Sequence, residues 1–188
     1  MDAVEAIRTR RSIPRLGGEV ARGTVDELLA AALCAPNHRL TRPWRFSVVA
    51  GAARECLGRR WAEIAAAERG LPTDARTKFI DSEARRLLRA PVVIFASTRT
   101  DANPEVATED FAATAAAIEN LLLAAHARGL GAMWRTGRMA YHPAMVGLLE
   151  LDPLDRIVGI VYLGQLIEPP PAAPPAAAAA AIRWLNER

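Results

Sequence analysis

The sequence predicts one domain of the α+β class, followed by a low-complexity tail. One long apolar segment, residues 109–128, has the composition of a buried helix, and three shorter apolar runs have the composition of strands. The chain has 188 residues, which suits a single domain with a sizeable core, and no internal repeat or linker interrupts the first 165 residues. We therefore expect the domain to span residues 1–166, with residues 167–188 forming a Pro/Ala-rich C-terminal extension. Residues 169–181 contain only Pro and Ala and are predicted to form a stiff connector. We expect Ile182, Trp184 and Leu185 after it to anchor the extension on a second copy of the chain, and the alternative is a disordered tail.

The first helix is predicted at the N-terminus. Asp2 and Glu5 have the spacing of a capping box, in which a side chain satisfies the free amides of the first turn. The helix is short, because Pro14 disfavours helical backbone at the residue before it. Val4 and Ile7 lie three residues apart, so we expect both to face the core.

A second capping-box pattern, Thr24 with Glu27, predicts a helix that runs through Cys34. A loop with two prolines follows at residues 35–43, and the alternating segment 44–49 then predicts a strand. The next predicted elements are a charged helix at 52–68, a surface helix at 77–88 and a buried strand at 91–96.

The helix at 109–128 is predicted to be the centre of the domain. Between residues 111 and 125 only Thr114, Glu119 and Asn120 are polar, so the helix is apolar nearly all round and should be buried on several sides. A polar loop, residues 99–108, leads into it, and Gly129 ends it, because glycine takes the left-handed conformation without strain. The remaining predicted elements are a short helix at 143–149 and a last central strand at 156–164.

Charge and composition exclude several classes of function. Of the 24 basic residues only Lys78 is a lysine, and the other 23 are arginines interspersed with 21 acids. The pI near 9.4 therefore reflects arginine content and not a basic face, and we expect no nucleic-acid binding. The central helix carries an internal Glu and Asn and is too short for a membrane span.

The N-terminus and the cysteines indicate where the protein is located, and the histidines indicate whether it binds a metal. The N-terminus has an early acid and no long apolar region, and Cys34 and Cys56 do not form a disulfide framework, so we expect a cytoplasmic protein. The spacing of the three histidines is not that of a zinc site, and we expect no metal. Neither a serine-hydrolase elbow nor a phosphate loop of the Gly-Lys-Ser/Thr type is present.

One segment has the chemistry of an anion site. Arg10, Arg11 and Ser12 place two guanidinium groups and a hydroxyl together, and guanidinium binds phosphate in a bidentate manner. The alternative is a solvated arginine run. In the same way, His38 alone fits an exposed loop histidine, and Trp134 alone fits a core or interface aromatic.

Taken together, five segments in this order resemble the nitroreductase family, and most closely its small YdjA-like branch. The resemblance covers residues 2 to about 166. The segments are Arg10-Arg11-Ser12, Ala35-Pro36-Asn37-His38 with Pro43-Trp44-Arg45-Phe46, Ala90-Pro91-Val92-Val93, Gly129-Leu130-Gly131 with Trp134-Arg135-Thr136-Gly137, and Ile157-Val158-Gly159 with Tyr162-Leu163-Gly164.

This resemblance implies a homodimer with a central, mostly antiparallel sheet flanked by helices and with FMN bound at the subunit interface. It implies NAD(P)H as the co-substrate and an electron-poor acceptor, such as a nitroaromatic or a quinone, reduced in a ping-pong sequence. The chemistry takes place on the flavin, so no protein side chain is expected to act as a catalytic residue.

The same resemblance assigns the candidate cofactor-binding residues. Arg10, Arg11 and Ser12 would hold the phosphate and ribityl end of FMN, and His38 would reach the flavin from the second subunit. The residues that would line the flavin after the central helix are Trp134, Arg135 and Thr136. The turn at 124–129 would approach the nicotinamide nucleotide, whereas Cys34 stands where related chains carry an arginine near the flavin.

Three alternatives remain at this point. One is another flavin reaction on the same scaffold, such as that of a dehalogenase, an azoline oxidase or a flavin-fragmenting enzyme. Another is a flavin-binding protein without catalysis, and the third is a basic partner-binding protein. The polar 99–108 loop, where an acceptor pocket would form, contains no feature that selects among the flavin reactions.

Overall fold

The computed structural model describes residues 1–170 and 183–185. Within them, the strands are β1 (Leu16–Gly17), β2 (Trp44–Ala50), β3 (Val92–Arg99), β4 (Leu130–Arg135) and β5 (Asp155–Leu166). The α-helices are α1 (Ala3–Thr9), α2 (Arg22–Ala32), α3 (Ala53–Glu68), α4 (Thr73–Ala84), α5 (Pro104–Ala127), α6 (Arg138–Tyr141) and α7 (Pro143–Leu148). Short 3₁₀ turns occupy His38–Leu40 and Arg85–Arg89.

The strands form one antiparallel sheet around β5. This strand pairs with β3 and β4, its last two residues pair with β1, and β2 pairs with β3. Helices cover both faces of the sheet, which confirms the predicted α+β class with a central antiparallel sheet. The segments predicted as strands at 44–49, 91–96 and 156–164 lie in β2, β3 and β5. The continuous apolar runs of β3 and β5 are buried on both faces, whereas the alternating β2 lies partly exposed at the edge of the sheet.

The core consists of two apolar layers, one on each face of the sheet. One layer joins the sheet to α2 and α5 and includes Leu28, Ile118, Leu121 and Val161, all buried. The other joins it to α3, α6 and α7 and includes Trp61, Phe95 and Met145. The predicted burial of the central helix on several sides is explained by the contacts of α5 with α2 and with several strands of the sheet.

Helix α5 is longer than the sequence pattern predicted. It begins at Pro104, and the Asn103 side chain caps it by accepting a hydrogen bond from the Glu105 amide at 2.9 Å. The predicted loop at 99–108 is therefore wrong in its second half, because Asn103-Pro104 is itself a helix start signal: proline suits the first helical position. The predicted stop is confirmed, since Gly129 has φ +73° and its amide bonds to the His126 carbonyl.

Helix α1 confirms one prediction and contradicts another. The Asp2 carboxylate accepts a hydrogen bond from the Glu5 amide at 2.9 Å, as the capping pattern predicted. Val4 and Ile7, however, are 56% and 62% exposed and do not face the core. The helix packs on α5 and buries only Ala6, so these two apolar side chains fall outside that contact.

Two further helix boundaries differ from the prediction. Helix α2 begins at Arg22 after an Ala21 cap that forms no side-chain hydrogen bond, so Thr24 lies within the helix and does not cap it. The helix ends at Ala32, before Cys34. Helix α4 begins four residues earlier than predicted, directly after Pro72, and ends in the 3₁₀ turn at Arg85–Arg89.

The C-terminal extension lies largely outside the described residues, including most of the predicted connector 169–181 and Ile182. Of its predicted anchors, Trp184 and Leu185 are both exposed in the single chain. Their docking on a partner stays a prediction. No helix in the described part of the chain has the length and apolarity needed to cross a membrane.

Candidate functional site

The Arg10-Arg11-Ser12 segment lies against β4. Helix α1 ends at Thr9, and the chain then extends so that the Ile13 amide donates to the Ala132 carbonyl at 3.1 Å. Ser12 and Ala132 form a parallel bridge, and the buried Ile13 side chain anchors the segment in the core. The structure therefore brings the predicted phosphate-binding residues to the strand that carries Trp134 and Arg135.

Arg10 is oriented by the central helix. Its Nε lies 3.1 Å from Oε1 of Glu119, and its side chain is mostly buried. The two terminal guanidinium nitrogens form no hydrogen bond with any residue that the structure describes. The ion pair thus fixes one edge of the guanidinium and leaves the other edge free to donate.

Arg11 and Ser12 add further free donors. Nη1 of Arg11 donates to the carbonyls of Arg8 and Arg10 at 2.9 and 2.6 Å, whereas its Nε is buried and has no partner among the described residues. Ser12 is exposed, and its hydroxyl bonds to none of the described residues. An anion at this position would supply the acceptor that the buried Nε lacks.

The charge around the segment also favours an anion. Residues 8–15 contain four arginines and no acid, and the Glu119 carboxylate is the acid that contacts Arg10. A hydrogen bond of 2.7 Å between Thr9 Oγ1 and His126 Nε2 holds the end of α1 against the last turn of α5. The arginines are therefore presented from a backbone fixed to the central helix.

Trp134 is half-buried and packs against the sheet. An ideal Cβ built on Gly159 of β5 would lie 1.9 Å from the indole Nε1, so only glycine leaves room for this ring. The indole N–H is buried, and no group in residues 1–170 or 183–185 accepts a hydrogen bond from it. The ring belongs to the apolar layer with α2 and α5, and its exposed part is what remains available to a ligand beside β4.

Arg135 and Thr136 complete the strand end. Arg135 is half-buried near Tyr162, whose pKa is raised by burial and lowered in part by the positive charge of Arg135. Thr136 is exposed, and Gly137 follows with φ +106°, a conformation that favours glycine. The chain thus turns sharply after Thr136 into α6.

The segment after this turn is held by one carboxylate on α3. Glu68 contacts Arg138 Nη2 through Oε2 at 2.5 Å and His142 Nε2 through Oε1 at 2.8 Å. The other ring nitrogen of His142 accepts the Ala144 amide and caps α7. Glu68 therefore fixes both ends of α6, immediately after Arg135 and Thr136.

His38 lies elsewhere on the protomer. Its exposed side chain places Nδ1 2.9 Å from Oε2 of Glu109, near the start of α5. Glu109 and the Arg10 partner Glu119 are ten residues apart on the same helix, which corresponds to about 15 Å along its axis. One protomer brings Arg10, Arg11 and Ser12 to the strand that carries Trp134 and Arg135, whereas its His38 contacts α5 at a separate point.

The loop that carries His38 is strained and heavily bonded. Arg39, Leu40 and Arg42 all have positive φ angles, between 48° and 59°, and such a conformation costs a non-glycine residue on the order of 1–3 kcal/mol. The Arg42 amide donates a hydrogen bond to Oδ1 of Asn37 at 2.6 Å, and Nδ2 of Asn37 donates one to Thr41 Oγ1 at 2.9 Å. The loop conformation is thus fixed by its own side chains.

Sequence reasoning missed the residues that tie this loop to the central helix. The Thr41 hydroxyl donates to Oδ1 of Asp110 at 2.5 Å, and the neighbouring Glu109 bonds to His38. The signal that was available is the pair of adjacent acids within the first turns of an otherwise apolar helix.

A cavity of about 520 Å³ opens beside the same loop, between the ends of β2 and β3 and the 99–102 segment. Arg45 and Arg99 line it and form no ion pair with any described residue, while Asp101 and Asp110 contribute acids to the same wall. Residues 99–102 of the region where an acceptor pocket is expected form part of its wall, and the acceptor pocket stays a prediction. No group of three metal-ligating side chains occurs among residues 1–170 and 183–185.

Comparisons with known proteins establish the family to which this fold belongs. The model of the nitroreductase family matches residues 7–165. The chain belongs to the nitroreductase family, and the resemblance noted from the sequence is confirmed.

Named relatives have similar length. A candidate NAD(P)H nitroreductase, YdjA of Escherichia coli K12, is 31% identical over 167 residues, which is 87% of this chain and 88% of that protein. YfhC of Bacillus subtilis, with the same description, is 30% identical over 161 residues, or 85% of this chain and 82% of its own.

Solved structures of other proteins have the same fold as this chain. A nitroreductase-like family protein from Bacillus cereus superimposes with a TM-score of 0.79 at 29% identity, covering 96% of this chain and 91% of that one. A candidate nitroreductase from Desulfovibrio desulfuricans, solved in complex with FMN, superimposes with a TM-score of 0.63 at 25% identity. The match covers 97% of this chain and 91% of that one. Iodotyrosine deiodinase, at 19% identity and a TM-score of 0.72, shares the fold.

Proposed function

We propose that this chain is an FMN-dependent NAD(P)H oxidoreductase that reduces an electron-poor acceptor, such as a nitroaromatic or a quinone, by a ping-pong sequence. The observation that supports this most is the contact of Ser12 with Ala132. This contact brings residues 10–12 to β4, the strand that carries Trp134 and Arg135, and the chain belongs to the nitroreductase family.

The residues present fit FMN. Its phosphate offers acceptor oxygens and negative charge, and the junction offers the free edge of Arg10, the unpartnered Nε of Arg11 and the free hydroxyl of Ser12. FMN when bound would accept hydride from NAD(P)H and pass it to the acceptor. Arg10, Arg11 and Ser12 would bind the phosphate and set the position of the cofactor.

The residues at the end of β4 would stabilise charge on the cofactor and exclude water from it. Arg135 at the end of β4 would stabilise negative charge on a reduced ring, because a fixed cation in a half-buried site is worth more than one in bulk water. Trp134 and Thr136 would cover the cofactor and exclude water. This reaction requires no protein nucleophile. The nicotinamide nucleotide would approach the cofactor beside the 124–129 turn at the end of α5.

We also propose a homodimer in which His38 reaches the FMN of a second copy. His38 and Arg10 contact α5 at points about 15 Å apart along its axis, so His38 does not adjoin the proposed phosphate site of its own chain, which supports a site completed by a second copy. Large apolar side chains are exposed in and before α1, just after α2 and in the 38–42 loop, and a dimer interface on this side would cover them. These residues are Met1, Val4, Ile7, Leu33 and Leu40.

The proposed reaction is tested by anaerobic reduction of the FMN-reconstituted protein. NADH or NADPH should bleach the absorbance of oxidised flavin, and a nitroaromatic or quinone added afterwards should restore it with release of reduced acceptor. A flavin that stays oxidised under both nucleotides would contradict the proposal and favour a flavin-binding protein without this activity. Sedimentation at micromolar concentration should show a dimer, and a monomer would contradict the two-chain site.

A further inference from the structure

The loop from Asn37 to Arg42 keeps a conformation that its sequence does not favour. Arg39, Leu40 and Arg42 adopt left-handed backbone that L-residues avoid, although none of them is glycine or asparagine. Strained backbone persists only where surrounding contacts over-determine it, and such sites cluster where binding requires a fixed shape. The contacts that hold this loop therefore point to its role.

Those contacts converge on two adjacent carboxylates of α5. Glu109 holds His38 at 2.9 Å, and Asp110 holds Thr41 at 2.5 Å, so both ends of the strained turn are tied to one helix. Asn37 then links Thr41 to the Arg42 amide and closes the loop on itself. We call these bonds the loop brace.

Asp110 differs from an ordinary surface acid. It is only 5% exposed, and the Thr41 hydroxyl is the side-chain donor that the described residues provide for it. A buried carboxylate is costly unless it is hydrogen-bonded, so the Thr41 bond is strongly favoured and the loop is drawn to one position. Glu109, on the neighbouring position, remains at the surface beside the exposed His38.

We infer that Asp110 and Glu109 are positioning residues, which act through Thr41 and His38 to hold the loop in the shape that completes the FMN site of a second copy. This inference rests on the proposed function. The brace itself would not touch FMN; it would preorganise His38 and so reduce the cost of ordering the loop when the cofactor binds.

The test is the FMN dissociation constant of the full-length dimer. Thr41→Val removes the hydroxyl at nearly constant volume and should raise the constant about tenfold, whereas Thr41→Ser should restore it. The matched control is Thr108→Val on the same helix, because the Thr108 hydroxyl bonds only to the Pro104 carbonyl of its own helix. Dimer mass and the melting temperature of the apoprotein should be unchanged in Thr41→Ser and in the control.

A mixed dimer shows whether the loop brace affects the FMN site of its own chain or that of the second copy. One chain carries Arg10→Ala and the other carries Thr41→Val. If the loop acts across the interface, the Thr41→Val chain keeps an intact Arg10 and receives an intact loop, so one tight FMN site per dimer returns. If the loop acts on its own chain, both sites are defective and no tight site returns, which would overturn the inference.

The remaining outcomes are also decisive. Wild-type affinity in Thr41→Val would show that the brace does not position the loop. If Thr41→Val fails to fold, Glu109→Gln takes its place, since this exposed residue should weaken FMN binding in the same direction, and unchanged binding would overturn the inference. A wild-type dimer that binds no FMN would instead reject the proposed function itself.

Discussion

The Nε atom of Arg10 lies 3.1 Å from Oε1 of Glu119, so the central helix orients the guanidinium while leaving its other edge free. The carboxylate has two opposite effects on an anion bound there. It aligns the donor, and its charge repels the ligand.

Replacing Glu119 with glutamine separates these effects. Glu119→Gln keeps a carbonyl oxygen to accept the Nε–H and removes a negative charge beside the phosphate site. We expect tighter FMN binding, with the gain largest at low ionic strength because salt screens partly exposed charges. Isothermal titration at two salt concentrations measures this, and an unchanged affinity with an unchanged salt dependence would show that the FMN phosphate does not lie near Arg10 and Glu119.

Gly159 should be intolerant of any side chain. Gly159→Ala would place a methyl group into the indole of Trp134, and overpacking of this kind costs about 1–3 kcal/mol. A lower melting temperature and weaker FMN retention are expected. Gly23→Ala is the matched control, because it lies in α2 with no atom within 4 Å of the added carbon, and it should stabilise the protein slightly. Equal melting temperatures for both variants would argue against the packing of Trp134 described here.

Glu68 should contribute more to the free energy of unfolding than the other acidic residues of α3. Glu68→Ala removes the contacts to Arg138 and His142, both of which hold the segment that follows Thr136, and we expect a loss of about 1 kcal/mol in the free energy of unfolding. Glu63→Ala serves as the comparison, since Glu63 has only a 4.0 Å contact with Arg59. Urea denaturation measures both, and equal midpoints would mean that the Glu68 contacts add nothing to stability.

Tyr162 should titrate later than a free tyrosine. Burial raises its pKa above the ordinary value of 10.0, with Arg135 acting in the opposite direction. A raised pKa in the folded protein means that the unfolded chain loses its proton first, so the stabilisation from Tyr162 is complete below pH 10 and is lost as pH rises through the folded pKa. Ultraviolet titration of Tyr141→Phe isolates Tyr162, because the chain has only two tyrosines. Ionisation of Tyr162 below pH 10 in the folded protein would contradict this.

The parts of the fold that the sequence could predict are those set by local signals. The Asp2 cap, the Gly129 stop and the strands predicted at 44–49 and 91–96 depend on a few neighbouring residues, and they are confirmed. The inward orientation of Val4 and Ile7 was wrong because the buried face of a short helix depends on the element it meets.

The candidate site was predictable only in part, for a similar reason. The side-chain chemistry of residues 10–12 is visible in the sequence, but their placement beside Ala132 is a contact across 120 positions of the chain. The attachment of Thr41 to Asp110 is likewise long-range, since a hydroxyl and a carboxylate 69 residues apart carry no local signal of their contact. The assignment of individual residues to FMN stays a prediction.

The most direct test of the central claim is a fluorescence titration of FMN against wild-type protein, Arg10→Ala and Arg15→Ala. Arg10→Ala removes a charge-assisted bond of about 1.5–3 kcal/mol, which raises the dissociation constant about ten- to a hundredfold. Arg15 is exposed and pairs loosely with Glu168 at 3.6 Å, so Arg15→Ala should bind FMN as the wild type does. Equal affinity in all three proteins would contradict the placement of the FMN phosphate at Arg10, Arg11 and Ser12.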